Sequence, residues 1–340
     1  MNIFKNVFVT GSIAYDTIMN FPNEFQDYFH SEKLHQINVS FVVNKLEKQL
    51  GGTATNIAYN ISQIINNKLQ ITNESQSSNI KLLGSVGKDG KDFISFFKKN
   101  RIDANGVVTD KKLYTSAGSV ITDTKNNQIW GFYYGASEKI PYIDFKLLNK
   151  ETDLIVISAN HKNSFLYFQR EAIKNKIPYI YDPGMTLTWI ADRDLKEGVM
   201  NCRYLVGNDY EIAMILKRTN VSINQLIDTG VNVITTLGEG GVRYQEKTVG
   251  TGLDLSILIK GFKVKKMLDP TGAGDAWRGG FIAGLLLNYS TKDCLKLGNV
   301  MASFAIEKYG TVNHNPKIKD IKMRMKKLNP KLPSRKKLSA

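Results

Sequence analysis

Long apolar runs are missing from this 340-residue chain. A membrane-spanning helix needs roughly 20 consecutive apolar residues, so none is expected. Cysteine is scarce. Cys202 and Cys294 are the only two, and they give neither metal-ligand spacing nor a disulfide framework. A reducing cytoplasm is the expected location. The N-terminus, Met1 to Asn6, runs directly into an apolar strand-like stretch without a leader pattern. The four histidines, His30, His35, His161 and His314, show no ligand spacing. A Walker A loop is also absent. Gly87-Lys88-Asp89-Gly90 lacks its spacing, and Asp92 stands where a hydroxyl would be needed.

What is present is ordinary globular composition, 42% hydrophobic and 23% charged. It suits one large domain with a smaller appendage. The net charge is +15, and the stretch from Lys317 onward carries ten basic residues and one aspartate. Such a tail reads either as a solubilising, flexible end or as a patch for nucleic acid or acidic lipid. The body has no aromatic-interleaved basic stripe, helix-turn-helix pattern or zinc knuckle, so a nucleic-acid partner is not expected. A positive excess also favours anionic substrates.

Short apolar runs punctuated by turn residues set the organisation. Val7 to Thr10, Ile80 to Val86, Leu154 to Ser158, Tyr179 to Asp182, Tyr204 to Val206 and Val233 to Thr236 read as strands. Helical patterns between most of them predict a doubly wound α/β core. Tyr114 to Thr122 and Gln128 to Tyr134 break that rhythm, since only a polar turn joins them. Together with the alternating piece Ile37 to Val43 they predict a small separate sheet. It serves either as a lid that excludes water from a site or as an ordinary antiparallel edge.

The stretch Asp269-Pro270-Thr271-Gly272-Ala273-Gly274-Asp275 carries the most chemistry. It is expected to follow a strand and lead into a helix through Phe281 to Leu287. Glycines there let the backbone approach a ligand. The first amides of the helix are open to an anion. Asp275 beside them is poorly placed to bind phosphate and well placed to take a proton from an attacking hydroxyl, which suggests phosphoryl transfer. The alternative is a glycine-rich turn with a capping aspartate.

Other glycine turns repeat the theme. Gly51 and Gly52 precede a helical stretch opened by Asn56, which offers a ligand both a donor and an acceptor or else makes an internal bond. Asp16, beyond the first strand, grips substrate hydroxyls or closes an Asx turn. Asn208 and Glu211 lie three apart, which suits either the water shell of Mg²⁺ or a helix capping box. Thr236, Gly238 and Gly241 form a turn able to carry nucleotide phosphates. Asn299 sits on a helix, Leu295 to Ile306, whose small residues permit either close approach of a flat ring or plain helix packing. Asn66 to Asn79 is expected to be a loop.

These segments, in this order, resemble the PfkB or ribokinase family of carbohydrate and nucleoside kinases over about residues 5 to 314. Asp269 to Asp275 is similar to the family's Asp-x-x-Gly-Ala-Gly-Asp signature. Gly51-Gly52 with Asn56, Asn208 to Glu211, and Thr236 to Gly241 resemble its other motifs. Gly11 to Asp16 and the segment around Phe21 to Val43 are most similar to bacterial adenosine kinase-like members. The resemblance implies a ribokinase-like three-layer αβα sandwich with a small β-sheet lid. The large domain would comprise residues 1–15, 46–112 and 136–314, the lid residues 16–45 and 113–135, and a basic, flexible tail residues 315–340.

The resemblance also implies roles. Asp275 would be the base, and Gly272, Ala273 and Gly274 the anion hole. Asp16, Gly51, Gly52 and Asn56 would hold the substrate. Asn208, Glu211, Thr236, Gly238, Gly241 and Asn299 would lie along ATP, with Glu211 reaching Mg²⁺ through water. Asp269 and Thr271 mark where some members bind a monovalent cation such as K⁺. The expected reaction is ATP-dependent phosphorylation of a nucleoside 5′-hydroxyl, adenosine to AMP as in purine salvage, by a monomer or homodimer. A sugar kinase of the ribokinase or fructokinase type is the alternative. Thr53-Ala54-Thr55 departs from ribokinase-type sugar kinases, and Asp182-Pro183-Gly184 from fructose-type ones. Both departures favour a nucleoside.

Overall fold

The computed structural model describes residues 4–29, 38–72, 80–125, 127–247 and 254–328. His30 and His35 lie outside them. The first strand, β1 (Asn6–Thr10), shows how the core is organised. Successive strand side chains point to opposite faces, so Val7 and Val9 enter one apolar cluster while Phe8 enters another. Both faces of the strand are therefore covered, as a parallel sheet requires.

Around β1 runs a nine-stranded sheet among the described residues. β4 (Ile80–Val86) and β5 (Asp103–Thr109) lie on one side of it. On the other side come β8 (Asp153–Ser158), β9 (Tyr179–Asp182), β10 (Tyr204–Asn208) and β11 (Asn232–Thr236), all parallel to β1. Two antiparallel strands, β12 (Val242–Lys247) and β13 (Asp254–Ile259), finish that edge. The Val7 face packs on α1 (Thr53–Thr72), α2 (Lys91–Lys99), α7 (Ala273–Leu286) and α8 (Thr291–Ala305). The Phe8 face packs on α3 (Lys162–Lys174), α4 (Asp192–Asn201), α5 (Asp209–Thr219) and α6 (Ile223–Asp228). The result is the three-layer sandwich anticipated from the sequence. Gly279 and Gly280 set the helix spacing. A Cβ on Gly279 would stand 2.3 Å from Asn60 Cβ on α1, and one on Gly280 2.6 Å from the Leu297 carbonyl on α8.

The second sheet has four strands, ordered β3 (Lys45–Gly51), β2 (Ala14–Asn20), β6 (Ser116–Thr122) and β7 (Gln128–Tyr133). Two expectations change here. Asp16 is not a loop residue beyond β1; it lies within β2. The accompanying strand is β3, whereas residues 38–43 of the expected Ile37 to Val43 strand are irregular. Phe41 instead joins a ring cluster with Phe21, Phe25, Tyr28 and Phe29. Ring burial, rather than strand pairing, organises that segment.

Three further boundaries differ from the sequence expectation. α1 continues through Thr72, past the Asn66 where a loop was expected. No strand abuts Asp269, because β13 ends at Ile259 and residues 260–270 take no regular form. The supposed flexible tail begins with a helix, α9 (Ile318–Lys327), whose Ile321 is buried. Its basic side chains mask an apolar docking face. Residues 329–340 lie outside the described part. No helix among the described residues is long and apolar enough to cross a membrane.

Candidate active site

β1 has β4 on one side and β8 on the other, so the order in which the chain adds its parallel strands reverses there. Ligands of open α/β sheets gather at the carboxyl ends of strands flanking such a switch. The N-terminus of α1 is pinned to this point. Thr53 Oγ1 donates to the Ala159 carbonyl at 2.9 Å and accepts the Ser12 amide at 3.2 Å. Ser12 Oγ in turn accepts the Thr53 amide at 3.1 Å. Gly52 makes the turn with φ 88°, and a Cβ on it would meet the Ser12 carbonyl at 2.4 Å. No other residue fits there without moving backbone.

One turn into α1, Asn56 Nδ2 donates to Asp275 Oδ2 at 2.8 Å. The Asn56 Oδ1 atom is buried without a partner. Two helix N-termini, those of α1 and α7, thus converge on one carboxylate, and their dipoles favour its negative charge. The α7 cap is Gly272 in the left-handed region, φ 76°. The Ala273 amide is turned back to the Pro270 carbonyl at 3.2 Å. The amides of Gly272, Gly274 and Asp275 find no acceptor among the described residues. They form a rim of open donors that the Ala273 amide, expected to contribute, does not join.

Arg278 sits one turn beyond Asp275 on α7 and is buried. It pairs with buried Asp182, the last residue of β9. Burial raises the Asp275 carboxyl above the usual range; the Arg278 guanidinium and the Asn56 bond oppose that, and Glu211 adds to it. Burial likewise pushes Asp182 up to about 7, against the pull of Arg278, with the charges of Glu211 and Asp275 reinforcing the rise. A Cβ on Gly274 would lie 2.7 Å from Arg278 Nη1, so that glycine admits the guanidinium as well as any anion. Sequence reasoning passed over Arg278 and Asp182. The available signal was a lone arginine in a run of small and apolar residues, a charge that has to be paired if the helix is buried.

Beside this rim opens a cleft of about 600 Å³. Thr236, Gly238, Gly241, Ala273, Gly274 and Asn299 all line it, joined by the irregular stretch from Gly261 to Met267. Thr236 Oγ1 donates to the Gly207 carbonyl at 3.4 Å. Asn299 lines the cleft as expected, with its side-chain amide already engaged by the protein. Its Oδ1 accepts Trp277 Nε1 at 2.9 Å, and its Nδ2 donates to the carbonyls of Ile259 and Lys260 at 3.1 and 2.9 Å. These three bonds hold the wall in place.

Asn208 and Glu211 form a full capping box at the start of α5, each side chain bonded to the other's backbone amide at 2.8 Å. Glu211 is also close enough for its charge to act on Asp182, Asp275 and Arg278. No group of three or more His, Cys, Asp or Glu among the described residues is built to ligate a metal. Asp269 accepts the Thr271 and Gly310 amides at 2.9 Å each. That duty closes the turn before α7.

Across from the rim stands Asp16. Burial, then the charges of Asp275 and Asp269, push its carboxyl up to about 7. Gly51 is small because Asp16 lies against it, Oδ2 being 2.0 Å from where a Cβ would be. In the small sheet Asp16 lies in register with Gly118, and Gly118 with Phe132. A Cβ on Gly118 would touch Asp16 Oδ1, the Trp130 ring and the Phe132 ring at 3.3 to 3.5 Å. Carboxylate and aromatic rings therefore share one face. Tyr134 extends this line, its ring 5.0 Å from Phe132 and 5.3 Å from His161. His314 is part of the packing: Nε2 lies 2.7 Å from Asn60 Oδ1, and burial pulls its pKa down to about 4.

Comparison with known proteins agrees with this fold. Residues 9–318 match the family model for pfkB family carbohydrate kinases. The nucleoside kinase of Methanocaldococcus jannaschii is 28% identical over 294 residues, spanning 85% of this chain and 90% of that protein. The nucleoside kinase of Methanothermobacter thermautotrophicus is 27% identical, spanning 92% and 93%. Among solved structures, the M. jannaschii nucleoside kinase superposes with TM-score 0.78 at 25% identity, covering 96% of this chain and all of that one. The Burkholderia thailandensis nucleoside kinase in complex with inosine gives 0.79 at 24% identity, covering 95% and 97%, a likeness of fold. The chain belongs to the pfkB family of carbohydrate kinases, phosphotransferases with an alcohol group as acceptor.

Proposed function

We propose that the protein transfers the γ-phosphoryl group of ATP to the 5′-hydroxyl of a nucleoside, with adenosine as substrate and AMP as product. The observation that carries this reading is the Asn56–Asp275 bond at the junction of α1 and α7, beside three open amides and a nucleotide-sized cleft. The nucleoside kinases among its relatives and the aromatic face beside Asp16 support a base-bearing substrate over a bare sugar. The base would lie against Trp130 and Phe132, and Asp16 would accept bonds from the ribose hydroxyls.

Asp275 takes the proton from the attacking hydroxyl as the bond to phosphorus forms. The amides of Gly272, Gly274 and Asp275 receive the charge spread over the transferring group. Asn56 holds the carboxylate in line by its 2.8 Å bond. Magnesium brought with ATP would neutralise phosphate charge, its waters held by Glu211 and Asn208. At Asp269 and Thr271, expected to mark a monovalent-cation site, the carboxylate already accepts two amides, and no step is routed through a cation there. The small sheet covers the acceptor side and would exclude water, the competing acceptor. A panel of adenosine, guanosine, inosine, ribose, fructose and fructose 6-phosphate with ATP and Mg²⁺ tests the assignment. Nucleosides, adenosine first, should turn over fastest. Turnover confined to ribose or fructose would replace it with the sugar kinase reading.

A further inference from the structure

The C-terminal helix α9 reaches beyond the end of the family match at residue 318, yet one of its side chains touches the wall of the nucleotide cleft. Arg324 Nη1 donates to Ser303 Oγ at 2.7 Å, and Nη2 pairs with Glu307 Oε2 at 2.6 Å. Its guanidinium carbon lies 3.7 Å from the centre of the Phe304 ring and 4.8 Å from that of Phe262. Ser303 is on α8, and Phe262 is on the irregular stretch after β13; both line the cleft.

That irregular stretch has few other restraints. At its start, Asn299 holds the carbonyls of Ile259 and Lys260. At its end, the amides of Leu268 and Asp269 bond to the Ile306 carbonyl at 2.8 and 3.3 Å. The first tie is to α8 and the second to Ile306, its C-terminal cap. Between them, no backbone–backbone bond joins residues 262–267 to the rest of the chain among the described residues. Arg324 grips this middle portion through Phe262 while bonding α8 through Ser303. A planar guanidinium can donate in its plane and stack on its faces at once, which a lysine ammonium cannot.

We infer that Arg324 is a positioning residue for the nucleotide: α9 clamps the 260–269 stretch onto α8 and so sets the width of the cleft. The inference rests on the reading that this cleft takes ATP. The basic tail then has a definite task in its first part, which composition alone left between a solubilising end and a binding patch.

The test uses the full chain. Arg324→Gln should raise the KM for ATP and the Kd for ADP about tenfold, the loss of roughly one charged hydrogen bond. The KM for the nucleoside, and kcat at saturating ATP, should change less than about twofold by the same reasoning. Arg324→Lys should fall between, and Glu307→Gln should move in the same direction by less. These two milder variants keep the question open to measurement if Arg324→Gln folds poorly. Ala302→Trp, which fills the cleft, should abolish ADP binding. If Ala302→Trp binds ADP as well as the unaltered protein does, the cleft is not the nucleotide site and the parent reading fails. If Ala302→Trp blocks ADP while the Arg324 and Glu307 variants keep unaltered ADP affinity, the clamp is overturned. A parallel fall in kcat and rise in both KM values would also overturn it, as the mark of general destabilisation.

Discussion

Asn56 and Asp275, 219 positions apart in the chain, meet through a single 2.8 Å hydrogen bond that joins the first turns of α1 and α7. The bond favours the ionised carboxylate, because a donor aimed at a charged acceptor is worth more than one aimed at a neutral acid. Burial works in the opposite direction. Removing the donor therefore raises the pKa of Asp275 further. Asn56→Ala should lower kcat/KM by a factor on the order of ten to a hundred, from the loss of one charge-assisted bond. The acid limb of its pH–rate profile should move to higher pH. An unshifted limb would separate Asn56 from the ionisation of Asp275.

Asp16 offers a test with a defined pH window. Burial and the charges of Asp275 and Asp269 push its carboxyl up to about 7, from 3.8 for an ordinary aspartate. The folded state thus holds a proton that the unfolded state has released between those values. Stability from this group is full below pH 4 and is lost as pH rises through 7. Asp16→Asn should accordingly melt at a higher temperature than the unaltered protein at pH 8, with the difference shrinking towards pH 4. Its KM for nucleoside should rise roughly tenfold or more, the cost of losing a charged acceptor. In the unaltered protein nucleoside affinity should improve from pH 6 to 8, and the variant should lose that trend. Calorimetry and steady-state kinetics across that range provide the check.

Arg278 and Asp182 form a buried ion pair next to the reacting carboxylate. Arg278→Met leaves Asp182 unpaired in the interior and should cost about 3–5 kcal/mol of stability. Adding Asp182→Leu should recover most of that loss, since both charges are then gone. Activity should not recover with it, because the guanidinium also opposes the rise in the Asp275 pKa. Denaturant melts of the single and double variants, with turnover measured beside them, separate the two roles.

The layered fold and the converging motifs were legible in the sequence because both are written locally. Runs such as Leu154 to Ser158 carry strand periodicity, and Gly272 to Asp275 carry their turn chemistry in adjacent residues. What escaped depends on tertiary partners. β5 holds Asp103, Asn105 and Gly106, weak strand formers kept extended by pairing with β4. Asp16 reads as a turn residue, yet it lies in a strand because β3 and β6 flank it. Arg324 shows no motif at all, and Asn299, picked out beside the nucleotide, gives no local sign of its hold on Trp277 and the Ile259 and Lys260 carbonyls. Their roles arise only where α7, α8, α9 and the stretch after β13 come together.

Replacing Asp275 by asparagine tests the central claim most directly. The change keeps size and hydrogen-bonding capacity and removes the proton acceptor. With adenosine, ATP and Mg²⁺, kcat should fall by a factor on the order of 10²–10⁴, the usual contribution of a general base. ADP binding and the melting temperature should stay close to those of the unaltered protein. Turnover by Asp275→Asn near the unaltered rate would contradict the account.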